Sequence, residues 1–193
     1  VHDLTDWLDR LYPGLVTIIN SGLSGRASNT ALANLETRVI AHHPDTVILE
    51  FGVNDAFSYE PADTDHGISP EQSRANLNRM IDAILRANPT AEIILQTMNP
   101  AWDAPNGNRS GSRRSRLAAY YDGYREVAAA RGLLLADHHA NWSRLMTTDR
   151  PAFERYISDG VHPSAEGSTA VTFPAIRDAL AGQACIPSVP SSS

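Results

Sequence analysis

The length, composition and charge of the chain exclude several classes of protein. Its 193 residues, 42% of them hydrophobic, can build one domain with a sizeable core and do not form a disordered chain. Its 22 acidic residues outnumber its 16 lysines and arginines, and the net charge of −6 argues against a nucleic-acid binder. No apolar run approaches the roughly 18 residues of a membrane span. The single cysteine, Cys185, allows no internal disulfide.

Four short apolar runs, rich in β-branched residues, predict strands that are buried on both faces. They are residues 16–20, 46–51, 92–97 and 133–136. Apolar residues with helical spacing predict helices around 4–11, 32–39, 70–88 and 117–131. A last helix is predicted from Ser164, a suitable N-cap, towards Ala181, with a kink or division at Pro174.

The alternation of strands and helices predicts an α/β domain with a mainly parallel sheet covered on both sides. The pattern opens with a helix where such a domain normally opens with a strand. We therefore expect the first strand of the sheet to be missing from this chain. The domain is expected to span residues 1–182, and residues 183–193 are expected to form a flexible tail because they contain too few apolar residues to order themselves.

Three short motifs contain residues that could carry chemistry. Residues 21–28 combine glycines and serines that can present backbone N–H groups before a helix. Asn54, after the second apolar run, has a side-chain N–H that could donate to an oxyanion. Asp159 lies three residues before His162 and could orient its imidazole as a general base. Taken singly, each motif is also compatible with an ordinary turn or loop.

Other polar clusters give weaker signals. Residues 63–66 contain two aspartates and a histidine, but no second cluster supports a metal site, and none is expected. The basic residues at 113–116 are interpreted as the solvated start of a helix. Residues 22–25 supply neither a Walker lysine nor the three-glycine dinucleotide pattern, which argues against a nucleotide binder.

In this order, the three motifs resemble the SGNH, or GDSL-type, hydrolase family over nearly the whole chain. The resemblance implies a three-layer α/β/α sandwich with a flavodoxin-like sheet, and hydrolysis of carboxylic esters through an acyl-enzyme. It also implies that the Gly25 N–H and the Asn54 side chain form an oxyanion hole. By the same resemblance His162 is the base, Asp159 orients it, and no metal or organic cofactor is needed.

The family's first block, a strand ending in Gly-Asp-Ser with the nucleophilic serine, does not occur in this sequence. Ser24 is the nearest serine, but it belongs to the glycine motif, and its hydroxyl is expected to make a local turn bond. We therefore expect an N-terminally truncated esterase that is inactive as given. Because the beginning is expected to be missing, the sequence leaves a signal peptide and the localisation undecided.

The substrate is less closely defined by the motifs. The polar loop at 102–111 contains one aromatic residue, which favours short acyl or acetyl esters of carbohydrates, although Trp102 is equally suited to packing. Ser24, Asp55 and Trp102 are the candidate substrate contacts. The alternative is a non-catalytic relative that binds a glycan or a protein partner in the same crevice. The oligomeric state is not predicted.

Overall fold

The computed structural model describes residues 2–59 and 67–181. The residues at 63–66 and the predicted tail at 183–193 lie outside this part. The described strands are β1 (Thr46–Leu49), β2 (Glu92–Gln96) and β3 (Leu134–Ala136). They form a parallel sheet in the order β1-β2-β3, in which Val47 pairs with Ile93 and Leu95 pairs with Leu135. Three of the four predicted strands are therefore confirmed, with bounds a few residues shorter.

Helices follow each strand. Those within 2–11, 28–38, 70–87, 117–131 and 165–181 fall at or near predicted intervals, whereas those at 138–148 and 150–156 were not predicted. The helices are α1 (His2–Leu11), α2 (Ser28–Ala33), α3 (Leu35–Arg38), α4 (Pro70–Ala87), α5 (Leu117–Arg131), α6 (His138–Thr148), α7 (Arg150–Tyr156), α8 (Ala165–Gly167) and α9 (Phe173–Ala181). A π-helical turn, Ser168–Thr172, separates α8 from α9. The predicted division of the last helix is thus confirmed just before Pro174, which has no N–H to continue the ladder.

One face of the sheet packs against α4 and α5. The buried side chains of this core alternate along the strands and recur every three or four residues along the helices: Val47, Leu49, Ile93, Leu95, Leu77, Met80, Ile81, Ile84, Tyr124 and Val127. Ser69 caps α4 by accepting a hydrogen bond from the Gln72 N–H at 3.2 Å, and Pro70 starts the helix.

A second group of helices lies on the sheet through α9, which contacts β3, and α1 packs on α9. Trp7 and Phe173 meet edge to face, with ring centroids 6.3 Å apart. The sheet therefore lies between two helical layers. No helix in the described ranges has the length and apolar character needed to cross a lipid bilayer.

The prediction of a strand at residues 16–20 is wrong. This segment joins no sheet in the described part of the chain, and Val16 and Ile19 are 37% and 50% exposed. β-Branched residues favour extended backbone, but a strand also needs a second backbone to complete its hydrogen-bond ladder. No described segment supplies that ladder.

Glu50 follows β1 and is unusual among the carboxylates of this protein. Burial raises the pKa of Glu50 to about 7, and a hydrogen bond from Gln96 Nε2 at 2.6 Å only partly offsets this effect. The folded protein therefore favours the protonated carboxyl over a pH range in which the unfolded chain ionises it.

We expect Glu50→Gln to stabilise the protein above neutral pH, because glutamine imitates the neutral carboxyl. In the wild type, the contribution of Glu50 to the free energy of unfolding is complete below pH 4.5 and is lost as the pH rises through about 7. The loss lowers the free energy of unfolding by about 1–3 kcal/mol. Urea unfolding between about pH 4 and about pH 8 would measure this slope. The exposed control Glu36→Gln should leave the slope unchanged; an unchanged slope in Glu50→Gln would contradict the prediction.

Candidate active site

Asp159 and His162 form a hydrogen-bonded pair in the loop between α7 and α8. The two residues are joined by a contact of 2.7 Å between Asp159 Oδ2 and His162 Nδ1. The other oxygen, Asp159 Oδ1, accepts from the backbone N–H groups of Val161 and His162 at 2.9 and 2.7 Å. Partial burial raises the pKa of Asp159, but these hydrogen bonds outweigh it and hold the pKa below its ordinary value. An ionised carboxylate thus orients an imidazole that is 73% exposed.

The residues after β2 hold this loop in place. The backbone N–H of Trp102 donates to the Gly160 carbonyl at 2.9 Å, and its indole N–H donates to the Ile157 carbonyl at 2.7 Å. Asn99, which is 1% exposed, donates to the Val161 carbonyl at 2.9 Å. Trp102 therefore supports the loop of the catalytic pair, and its predicted role as a substrate contact stays a prediction. Asn99 was not identified from sequence, although its place directly after an apolar run was a usable signal.

The two predicted oxyanion donors lie on adjoining loops. The side-chain N–H of Asn54 donates to the Arg26 carbonyl at 3.2 Å, which ties the turn after β1 to the glycine motif. An amide nitrogen carries a second hydrogen that this bond leaves available. Gly25 has a φ of +67°, which favours glycine, and a Cβ at this position would meet no atom within 4 Å. The loop is therefore open on the side to which this Cβ would point.

A buried polar network fixes these two loops to each other. Asp55 is 0% exposed, and its carboxylate accepts from the Ser28 N–H at 2.7 Å and from the Ser73 hydroxyl at 2.5 Å. Asn76 donates to the Ser28 hydroxyl at 2.9 Å. The Asp55 carboxylate thus accepts a hydrogen bond from a backbone N–H in the first turn of α2, which has no acceptor within the helix, and a second one from a side chain of α4.

The predicted role of Asp55 as a substrate contact does not fit this placement, because both its oxygens face donors inside the protein. Ser73 and Asn76 were not identified from sequence; their position on the apolar stripe of α4 was the available signal. Ser24 is exposed, and its hydroxyl makes no hydrogen bond within residues 2–59 and 67–181, so the predicted local turn bond is not formed.

The segment between β2 and α5 joins the two halves of the site. At one end Trp102 binds Gly160, beside the Asp159–His162 pair. At the other end Arg114 Nε donates to the Val53 carbonyl at 2.8 Å, directly before Asn54. Both halves therefore lie at the carboxyl edge of the sheet, as expected for loops that follow parallel strands. In the part of the chain that the structure describes, no three His, Cys, Asp or Glu side chains are grouped to hold a metal.

An oriented imidazole and candidate oxyanion donors, on loops at one edge of an α/β/α sandwich, are typical of a hydrolase of the acyl-transfer type. The chain belongs to the GDSL-like Lipase/Acylhydrolase family, which it matches over residues 2–170. The predicted family, fold class and assignment as a carboxylic ester hydrolase are confirmed.

Two curated relatives and two solved structures illustrate the match. The chain is 28% identical to an acetylxylan esterase of Geobacillus stearothermophilus, over 83% of this chain and 71% of that protein. It is also 28% identical to an arylesterase of Vibrio mimicus, over 78% of this chain and 64% of that protein.

The crystal structure of the Geobacillus acetylxylan esterase matches with a TM-score of 0.73 and 25% identity, covering 94% of this chain and 80% of that one. A lipase/acylhydrolase from Enterococcus faecalis matches with a TM-score of 0.69 and 27% identity, covering 92% and 85%.

We expect Asp55→Ala to lower the free energy of unfolding by about 3 kcal/mol, because it leaves the buried Ser28 N–H and Ser73 hydroxyl without an acceptor. Asp55→Asn should lose less, since its amide can still pair with both groups. The measurement is urea unfolding monitored by circular dichroism. The exposed control Asp9→Ala should change the stability by less than about 0.5 kcal/mol. Equal effects of Asp55→Ala and Asp9→Ala would contradict the proposed network.

Gly160→Ala should lower the free energy of unfolding by more than backbone strain alone would. Gly160 has a φ of +87°, and an added Cβ would collide with the Trp102 carbonyl oxygen and lie 2.9 Å from Asn108 Oδ1. Gly107, with a φ of +82° and no atom within 4 Å of the added Cβ, provides a control with equal strain and no collision. We expect Gly107→Ala to cost about 1 kcal/mol and Gly160→Ala at least about 2 kcal/mol more. Thermal unfolding of both variants would test this difference.

Proposed function

We propose that this chain supplies the acid–base pair and the oxyanion hole of an esterase that removes short acyl groups, in particular acetyl groups, from carbohydrates. The observation that carries the proposal is the 2.7 Å contact between His162 Nδ1 and Asp159 Oδ2. This contact leaves Nε2 of an exposed imidazole free to take a proton.

In the proposed reaction, a serine hydroxyl attacks the ester carbonyl while His162 Nε2 takes its proton. The Asn54 and Gly25 N–H groups donate to the oxyanion of the tetrahedral intermediate, each contributing roughly 3 kcal/mol. His162 then protonates the departing alcohol. A water molecule, deprotonated by His162, then attacks the carbonyl of the acyl-enzyme, and His162 passes that proton to the serine oxygen as the acid is released. Asp159 stabilises the imidazolium in both steps.

The nucleophile of this reaction is proposed to come from a segment that this sequence does not contain, because the family's Gly-Asp-Ser block is absent from its 193 residues. Solved structures of the Geobacillus esterase include catalytic mutants with alanine in place of a serine near the N-terminus, an aspartate or a histidine. In that protein two residues separate the aspartate from the histidine, as two separate Asp159 from His162. This spacing supports the assigned roles.

The proposed substrate class rests on the relatives and on one loop. A curated relative and several solved structures are acetylxylan esterases. The loop between Trp102 and Ser110 is exposed and polar over most of its length, which suits hydroxyl groups better than an alkyl chain. With Trp102 held in the fold, the polar side chains of this loop are the proposed carbohydrate contacts. No observation favours the non-catalytic alternative.

A chimera tests the proposal. It joins the N-terminal segment of the Geobacillus esterase, through its catalytic serine, to residue 2 of this chain. We expect the chimera to hydrolyse p-nitrophenyl acetate and to react with a fluorophosphonate probe, whereas the 193-residue chain does neither. In the chimera, His162→Ala should lower kcat by at least about 10³, and Asn54→Ala by about 10²–10³ with a smaller effect on KM.

The matched control is His42→Ala, since His42 is an exposed histidine at the end of a 3₁₀ turn, and it should keep full turnover. Full turnover in His162→Ala or Asn54→Ala would refute the assigned roles. Robust turnover by the 193-residue chain alone would refute an external nucleophile. Chain-length preference among p-nitrophenyl esters tests the substrate: faster turnover of long acyl chains than of acetate would exclude the proposed class.

A further inference from the structure

Arg114 occupies a defined position that the sequence prediction of a solvated helix start did not anticipate. Its Nε donates to the Val53 carbonyl at 2.8 Å and its Nη1 to the Ser110 carbonyl at 3.3 Å. Its guanidinium lies 4.9 Å from the centre of the Phe57 ring. These contacts hold the half-buried guanidinium in one orientation, so the predicted solvation is wrong for this residue.

The charge of Arg114 is not neutralised by an ion pair within residues 2–59 and 67–181. Both of its hydrogen-bond acceptors are uncharged carbonyl oxygens. Burial lowers the pKa of Arg114, and electrostatic interactions with Tyr121 and Asp159 oppose that effect without an ion-pair contact. A guanidinium also has more N–H donors than these two bonds use. A half-buried cation with spare donors is costly in folding free energy, which makes it a candidate for ligand binding.

Arg114 lines an open cavity of about 280 Å³ at the carboxyl edge of the sheet. The other polar side chains of its wall are those of Ser115 and His139, and the His139 imidazole packs against Tyr121 with ring centroids 5.2 Å apart. The remaining wall is largely apolar: Pro100, Ala101, Leu117 and Ala118, with Gly111. Apolar surface combined with a cation and an imidazole suits a sugar ring that carries an acid group.

This cavity adjoins both halves of the candidate active site. Val53, which Arg114 binds, directly precedes the proposed oxyanion donor Asn54. Ala101, in the cavity wall, directly precedes Trp102, whose N–H binds Gly160 in the loop of the catalytic pair. A sugar bound in the cavity would therefore lie next to the segments that carry both halves of the site.

We propose that the Arg114 cavity binds the carboxylate of an acidic sugar, so that the enzyme favours acyl esters of sugar acids over those of neutral sugars. The guanidinium would make charge-assisted hydrogen bonds to the carboxylate, and the apolar wall would cover a face of the ring. The preference for sugar acids rests on the esterase function proposed above, whereas the binding of the carboxylate does not require turnover.

The test is a titration of the ¹⁵N-labelled 193-residue chain, followed by NMR, with glucuronate, glucose and acetate. We expect glucuronate to shift the amide signals of Gly111, Leu117, Ala118 and His139 and to bind at least about tenfold more tightly than glucose. Acetate should bind more weakly than glucuronate, because it lacks the ring. Equal binding of glucuronate and acetate would refute recognition of a sugar.

Two variants and one control locate the site. Arg114→Gln should weaken glucuronate binding at least about tenfold, and Ala118→Phe should weaken it as much by filling the cavity without touching the Val53 contact. The control Arg113→Gln removes the neighbouring arginine, which lies over Phe57 and outside the cavity wall, and should bind as the wild type does. Equal losses in Arg113→Gln and Arg114→Gln, or no preference for glucuronate over glucose, would overturn the proposal.

The failure of this inference can be told apart from failure of the proposed function. If the chimera hydrolyses p-nitrophenyl acetate but glucuronate binds no better than glucose, the esterase function holds and the Arg114 inference fails. If glucuronate binds through Arg114 but the chimera has no His162-dependent turnover, the binding site holds and the esterase function fails.

Discussion

Asp55 is an acidic side chain without access to solvent, and its carboxylate needs donors from other parts of the chain. The Ser28 N–H and the Ser73 hydroxyl provide them from α2 and α4. The hydrogen bonds of Asp55 therefore fix the turn after β1, the glycine motif before α2 and the start of α4 relative to one another. The proposed oxyanion donors, Asn54 and Gly25, belong to two of these segments, so the same hydrogen bonds help to hold them in position.

The acid–base pair depends on a separate set of contacts. Asp159 and His162 are close in sequence and can form their hydrogen bond locally, but their loop is held at the sheet by Asn99 and Trp102. The two halves of the site are thus supported independently and meet through the segment that ends at Arg114. Preorganisation of this kind is what an oxyanion hole requires, because donors fixed in advance need no rearrangement when charge develops.

Glu50 and Arg114 show two ways in which this protein holds ionisable groups away from water. Burial raises the pKa of Glu50 to about 7, so that much of the folded protein holds this carboxyl uncharged at neutral pH. Arg114 stays charged, because a guanidinium does not lose its proton under these conditions. The first group is accommodated by neutralisation, whereas the second retains an unsatisfied charge beside an open cavity and is suited to bind an anion.

The sequence by itself determined the features that depend on neighbours along the chain. These are the apolar strands at 46–49, 92–96 and 134–136, the cap at Ser164, and the spacing that lets Asp159 orient His162. Tertiary structure decided the rest, since the relevant partners are distant in sequence. Residues 16–20 have strand composition but no described partner strand. The donors to Asp55 come from α2 and α4, whose packing around it the sequence does not predict. Trp102 and Arg114 donate to carbonyls more than fifty positions away. Composition records what a side chain can do, and only the folded chain determines which group it meets.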